Sequence, residues 1–198
     1  MLRVALTGGI ATGKSHVLDR LRRRGVPCLD ADALAHGVEV AGTEATQAIA
    51  ARFGPGVLAA DGSVDRAKLG PIVFADRAAR RDLEGIVHPA VYRAIAAGLR
   101  AFELTGSPRL AVVDIPLLDE TGHASAFDAV IATVCPPEVQ LARLVERGMS
   151  EAEARQRLAA QLPADEKAAR ATFVIDTSGT FENTDAQVQR ILEALAGS

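Results

Sequence analysis

The chain has 198 residues, 48% of them hydrophobic and 24% charged, with a formal net charge of −3. This is the size and balance of one soluble globular domain, and the charge excludes a general electrostatic pull toward nucleic acid. Two cysteines without CxxC or Cys/His spacing exclude a disulfide framework and a zinc centre, and no apolar run reaches membrane-spanning length.

The opening "MLRVALTG" is too short for a signal peptide, so the expected location is the cytoplasm, with no membrane partner. "RVALT" from Arg3 reads as the first strand. It runs into "LTGGIATGKS", in which Gly8, Gly13, Lys14 and Ser15 match the pattern G-x-x-x-x-G-K-[ST] in full. Glycines let consecutive backbone N–H groups curl around an anion, and the following helix "KSHVLDRLRRRG", closing at Gly25, adds positive charge from its N-terminus. Lys14 is placed to reach β- and γ-phosphates and Ser15 to offer a hydroxyl to Mg²⁺. A chance Gly-rich turn is the competing reading, and the strand and helix on either side argue against it.

The second strand, "VPCLD" from Val26, ends in the carboxylate pair of "LDAD". Ligands of doubly wound sheets gather at the carboxyl ends of the strands. Strand alternation would aim Asp30 and Asp32 the same way, one of them able to deprotonate an attacking hydroxyl. Either could instead cap the helix beginning near "ADALAHG". From Ala33 to Pro108 the pattern is mostly helical, with breaks at "FGPG" from Phe53 and "DGS" from Asp61. A crossover between parallel strands needs only about a dozen residues. The excess reads as an inserted helical subdomain, where specificity is commonly carried.

"RLAVVD" is the third strand, ending at Asp114, whose carboxylate either serves Mg²⁺ or caps the next turn. "AVIATV" from Ala129 is the fourth. After it, Gln140, Arg143 and Arg147 fall on one helical stripe and Leu141, Leu144 and Val145 on the neighbouring one. With Gly148 as hinge and "SEAE" at Ser150 opening another helix through a capping box, this stretch reads as a lid with an arginine face. The competing reading is a solvated helix with ordinary Glu–Arg pairs. "TFVID", ending at Asp176, is the fifth strand. Thr184 and Gln187 have capping-box spacing for a last helix that buries Val188, Ile191, Leu192 and Leu195. Cys28 and Cys135, each at or near an apolar run, are expected to serve packing. No N-K-x-D guanine motif is present, which argues against a GTPase switch.

"ALTGGIATGKS", "LDADALAH", "HP" at His88–Pro89, "VVDIPLLDE", "QLARLVER", "AAQLPADEK" and "VIDTSGT" follow one another over nearly the whole chain. Together they resemble the dephospho-CoA kinase family, which finishes coenzyme A biosynthesis by phosphorylating the ribose 3′-hydroxyl of its substrate. The resemblance implies an α/β fold: a P-loop NTPase-type, doubly wound, parallel five-stranded sheet with a helical insertion and a lid. The core is expected over 1–32, 109–135 and 171–198, the substrate-binding insertion over about 33–108 and the lid over about 136–170.

ATP and Mg²⁺ are the implied cofactors. By position, Asp32 matches the carboxylate that activates the hydroxyl, with Lys14 and Arg147 as its catalytic partners. The nucleotide loop is Gly8, Gly9, Ile10, Ala11, Thr12, Gly13, Lys14, Ser15 and His16, joined by Arg143 and Arg147 from the lid. Acceptor contacts fall on Asp32, His88, Pro116, Leu117 and Leu118, and metal ligation on Ser15 and Asp114. On residue chemistry alone, His88 before Pro89 could equally start a helix. The implied partner is dephospho-CoA, with no nucleic acid, and the chain is expected to be a monomer.

Departures from the family pattern are Ala11 for glycine, His16 for threonine, Asp119 for an aromatic, Gly148 for aspartate and Thr177 for asparagine. Ala11 carries a Cβ cost of about 1–2 kcal/mol if its φ is positive, so a compatible backbone or a slight local shift is expected there. Two alternatives stay open: a related small-molecule or nucleoside kinase with another acceptor, and a nucleotide-binding regulatory module without catalysis.

Overall fold

The computed structural model describes residues 1–106, 108–118 and 122–197; Asp119 lies outside them. Five strands, β1 (Leu2–Gly8), β2 (Cys28–Asp30), β3 (Leu110–Asp114), β4 (Ala129–Val134) and β5 (Phe173–Asp176), lie side by side in the order β2-β3-β1-β4-β5. β1 pairs in parallel with β3, setting Leu6 opposite Asp114, and with β4, setting Gly8 opposite Thr133. β4 pairs in parallel with β5. The expected five-stranded α/β sheet is therefore present. β2 is shorter than "VPCLD" and begins after Pro27, which has no N–H to give a ladder; its carbonyl still accepts from Val112 N at 2.9 Å.

The helices in chain order are α1 (Lys14–Arg23), α2 (Ala31–Val38), α3 (Glu44–Phe53), α4 (Arg66–Ala75) and α5 (Arg77–Gly106). After β4 come α6 (Pro137–Glu146), α7 (Glu151–Ala159), α8 (Ala164–Arg170) and α9 (Phe181–Ala196). The chain divides into two compact units, Met1–Leu29 with Phe102–Ser198, and Asp30–Ala101.

In the first unit, Val17, Leu18 and Leu21 of α1 and Val188, Ile191 and Leu195 of α9 pack on Val4, Leu6, Val112, Ile131 and Ile175. Each such side chain contributes about 1.5–3 kcal/mol by leaving water. Val4, Ala5 and Leu6 are all fully buried, so β1 is covered on both faces, as a central parallel strand must be. α9 begins one turn earlier than its expected cap. Thr180 caps it by accepting from Asn183 N at 3.3 Å, and Thr184 lies inside the helix. Gln187 is taken by β5 instead: its amide exchanges bonds with Asp176, accepting from the backbone N at 2.9 Å and donating to the carbonyl at 2.7 Å. The Ser150–Glu153 capping box opens α7 as expected.

In the second unit, Ile49, Val57 and Leu69 form a core with Phe53, Val64, Val73, Leu83, Ile86 and Val87 against it. Thr43 caps α3 and Asp65 caps α4. Both breaks read from the sequence are present. Gly54 leaves α3 at φ 87° into a 3-10 turn over Pro55–Val57, and Asp61 accepts from Ser63 N at 2.9 Å. His88 and Pro89 do not start a helix; they sit in the interior of α5.

Candidate active site

The phosphate loop leaves β1 at Gly8. A Cβ there would lie 2.1 Å from Thr133 Oγ1 and 2.7 Å from Thr12 Oγ1, so only glycine fits. The loop then turns through Ala11 at φ 59° and Gly13 at φ 79°. Its carbonyls are drawn back into the scaffold one after another. Gly9 O accepts from Thr12 Oγ1 at 2.8 Å, Ile10 O from Gln140 Nε2 at 2.7 Å and Ala11 O from Arg143 Nη1 at 3.1 Å. Thr12 O accepts from Thr177 Oγ1 at 2.8 Å and Gly13 O from His16 N at 3.0 Å.

With these oxygens fixed outward, the N–H groups of Ala11, Gly13, Lys14 and Ser15 meet no partner among the described residues, while Thr12 N closes a turn on Gly9 O at 3.3 Å. Ile10 N gives its hydrogen bond to Gln161 Oε1 at 2.8 Å. α1 begins with no side-chain cap and no acidic residue in its first turn, so its orphan N–H groups and dipole favour an anion.

Lys14 Nζ forms an ion pair with Asp114 Oδ1 across the ends of β1 and β3. Asp114 is 6% exposed, and burying that carboxylate requires compensating charge, which the lysine supplies. Ser15 is exposed. A hydroxyl and a carboxylate are hard oxygen donors suited to Mg²⁺, which commonly takes one or two protein ligands and completes its shell with water and substrate phosphate. Among the described residues no group of three or more His, Cys, Asp or Glu could hold a metal ion.

A cavity of about 920 Å³ opens over the loop, lined by Gly8 through His16, Pro116, Arg143, Glu146, Arg147, Gln161 and Thr177, and by the start of α9. The expected arginine stripe is divided in its duties. Gln140 is buried, and Arg143 donates to Thr177 O at 2.5 Å and Thr177 Oγ1 at 3.2 Å as well as to Ala11 O, so both act as braces of the loop. Arg147, at the C-cap of α6, is exposed on the cavity wall, and no described residue pairs with its guanidinium. Of the apolar positions, Leu144 is buried but Val145 is 44% exposed, so the apolar back is narrower than the sequence pattern implied.

The acceptor residues are distributed. Asp30 is the N-cap of α2, accepting from Ala33 N at 3.0 Å. The helix starts at Ala31, so Asp30 and Asp32 do not alternate along an extended strand as expected. Asp32 sits in the first turn of α2 with an exposed side chain, and its carbonyl faces His36 Nδ1 at 2.8 Å. His88 is half-buried on α5. Pro116 lines the cavity and Leu117 is 45% exposed, whereas Leu118 is fully enclosed and packs rather than presenting surface. Pro116 O is gripped by Lys167 Nζ at 3.0 Å, from a lysine buried in α8 that closes "AAQLPADEK" and was given no role of its own there.

The departures from the family pattern have physical counterparts. Ala11 does not escape to a compatible backbone; it keeps φ 59°, and its methyl packs with Leu144 and Ala154. His16 Nε2 lies 2.8 Å from Asp185 Oδ1, which also accepts from Arg20 Nε at 2.9 Å, and the His16 ring stacks on Phe181 at 4.5 Å. Desolvation works to raise the Asp185 pKa, but His16 and Arg20 outweigh it and hold the carboxyl below its ordinary range. Thr177 is buried, linking the loop, β4 and Arg143, while Gly148 has φ 89°. Asp185 and Phe181 lie outside the motifs read from the sequence, and Gln161 lies within "AAQLPADEK" without a role assigned to it. Burial pushes the Cys28 thiol up to about 11 and raises that of Cys135, consistent with packing roles.

A phosphate loop after the central strand of a parallel β2-β3-β1-β4-β5 sheet, with a carboxylate ending the strand beside it, defines the P-loop kinase class. Shikimate kinase from Acinetobacter baumannii shares this fold at a TM-score of 0.50 and 16% identity. The family model described as dephospho-CoA kinase matches residues 2–183. A dephospho-CoA kinase of Anaeromyxobacter dehalogenans is 49% identical over 98% of this chain and 92% of its own length. Another, of Geobacillus kaustophilus, is 46% identical over 97% and 96%. Among solved structures, dephospho-CoA kinase from Campylobacter jejuni superposes with a TM-score of 0.74 at 25% identity, over 98% of this chain and 97% of that one. The chain belongs to the dephospho-CoA kinase family, whose members catalyse the last step of coenzyme A biosynthesis.

Proposed function

We propose that the chain transfers the γ-phosphoryl group of ATP to the ribose 3′-hydroxyl of dephospho-CoA, with Asp32 as the base and Arg147 as the cation that meets developing charge. The observation that carries this reading is the phosphate loop, whose carbonyls are all engaged by the scaffold while an uncapped helix start faces the cavity. In the transfer, the 3′-oxygen bonds to the γ-phosphorus as the bond from that phosphorus to the bridging oxygen breaks. ADP departs, and the hydroxyl proton passes to Asp32.

Lys14 and Arg147 offset negative charge on the moving phosphoryl oxygens. Ser15 and Asp114 would hold Mg²⁺, which neutralises phosphate charge when bound. For that, Lys14 exchanges its partner, leaving Asp114 for the phosphates. His88, Pro116 and Leu117 are assigned to the acceptor. The segment after β4, over about 136–170, serves as a lid that excludes water and limits wasteful hydrolysis of ATP.

The reading includes a cytoplasmic monomer with no nucleic-acid or membrane partner. Among the described residues no helix is long and apolar enough to cross a membrane.

The test is transfer from ATP with Mg²⁺ to dephospho-CoA, with adenosine and other ribosyl compounds as parallel acceptors. Rapid formation of coenzyme A with little product from the others supports the assignment. Transfer only to another acceptor overturns the substrate, and consumption of ATP with none of them overturns the kinase.

A further inference from the structure

Phe181 is 66% exposed, although it opens a helix whose core stripe, Val188, Ile191 and Leu195, is buried without it. An aromatic ring held in the open keeps a broad apolar face available for contact. Its neighbour is the His16 ring, with centroids 4.5 Å apart and planes inclined by 30°. That imidazole does not turn freely, because its Nε2 lies 2.8 Å from Asp185 Oδ1 and Arg20 Nε fixes the same oxygen from 2.9 Å. His16 stands in the first turn of α1, directly after Lys14 and Ser15, and both rings line the 920 Å³ cavity over the phosphate loop.

We propose that the His16–Phe181 pair is the platform on which the base of the donor nucleotide stacks, so that donor choice rests on the π face of the base rather than on its hydrogen-bonding edge. This rests on the assignment of ATP to the phosphate loop made above. One face of the Phe181 ring is covered by His16, and the base covers the other. Threonine hydroxyls that line the cavity beside the platform are committed to the fold. Thr180 Oγ1 caps α9, Thr184 Oγ1 donates to Thr180 O at 3.3 Å, and Thr177 Oγ1 donates to Thr12 O at 2.8 Å. A reader of base edges needs free donors and acceptors, whereas stacking accepts any base with a broad face.

The test uses nucleotide affinity without acceptor, on the full chain, with ATP, GTP and inorganic tripolyphosphate plus Mg²⁺ as probes. Stacking on an aromatic side chain is strong enough that Phe181→Ala weakens ATP about tenfold or more. Tripolyphosphate, which has no base, binds the variant as it binds the parent, and GTP follows ATP within about tenfold in both. The chain contains no tryptophan, so Phe181→Trp adds a single indole reporter on the platform. It retains ATP affinity within about threefold of the parent chain, and its fluorescence is quenched by ATP and GTP but not by tripolyphosphate. Equal loss of ATP and tripolyphosphate affinity in Phe181→Ala, or no loss of either, overturns the platform while leaving the kinase reading intact. Failure of the parent chain to bind tripolyphosphate overturns the phosphate loop itself, and the platform with it.

Discussion

Ala11 offers a quantitative test of how this loop is held. Its φ of 59° costs an L-residue about 1–2 kcal/mol relative to glycine. Against that, its side chain is only 8% exposed and packs with Leu144 and Ala154, and a buried methyl contributes about 0.8 kcal/mol. Glycine also gives the unfolded chain more freedom, worth about 0.4–1 kcal/mol. The three terms nearly cancel, so Ala11→Gly changes unfolding stability by less than about 1 kcal/mol, or about 4 °C in Tm for a chain of this size. Urea unfolding at neutral pH, followed by circular dichroism, measures it. A gain above about 1.5 kcal/mol would show that the methyl packs against nothing of value; a loss of that size would show that φ 59° carries no strain. ATP affinity stays unchanged in either case, because Ala11 O is held by Arg143 through the backbone.

The site assignments lead to three further outcomes. Asp32→Asn lowers kcat by about 10²–10⁴ while ATP affinity, measured by calorimetry, stays within about threefold; unchanged turnover removes Asp32 as the base. Arg147→Ala lowers kcat by about 10³ or more without moving Tm, whereas Arg143→Ala lowers Tm and weakens tripolyphosphate, since it frees the carbonyls of Ala11 and Thr177. Identical profiles for the two arginines would refute that division. Hydrogen bonds from the Ser178 side chain and backbone hold the Asp176 carboxyl below its ordinary 3.8, so the stability it adds is present above that value and drains away as pH falls through the depressed one. Asp176→Asn therefore flattens the dependence of the urea midpoint on pH below about 4, and an unchanged slope would reassign the acid sensitivity.

The sheet and the phosphate loop were legible because their signals are local. Continuous Val, Ile and Leu runs mark strands covered on both faces, and β4 matches "AVIATV" residue for residue. The misread features depend on partners distant in sequence. Thr184 and Gln187 have the spacing of a capping box, but Gln187 completes the ladder of β5 at Asp176, and the helix starts at Phe181 under the cap of Thr180, whose third-following residue is Asn183. Asp30 and Asp32 looked like strand neighbours, and the early start of α2 makes one a cap and the other a first-turn residue. Gln140 and Arg143 share their stripe with Arg147 as expected, but their acceptors lie 130 and 132 residues earlier, at Ile10 and Ala11, which the spacing does not reveal. Helical periodicity tells which positions share a face and not what that face meets. Phe181 was missed because an aromatic at a helix start is ordinarily expected to join the core.

These long-range contacts also explain why the loop accommodates residues that depart from the glycine-rich pattern. A phosphate cradle needs its amides pointing one way, and glycine permits that without enforcing it. Here the enforcement comes from the opposite side of the peptide planes, where Thr12, Gln140, Arg143, Thr177 and the amide of His16 each hold one carbonyl. Every peptide whose oxygen is fixed has its N–H fixed by planarity as well. Ala11 can then stay at a positive φ because Arg143 holds its carbonyl and Leu144 and Ala154 shelter its methyl. Gly13 follows less readily, since at φ 79° a Cβ there would stand 3.1 Å from Thr177, the residue that holds the neighbouring carbonyl, and would have to push it back by a few tenths of an ångström. Tolerance in the loop is thus set position by position by the scaffold behind it.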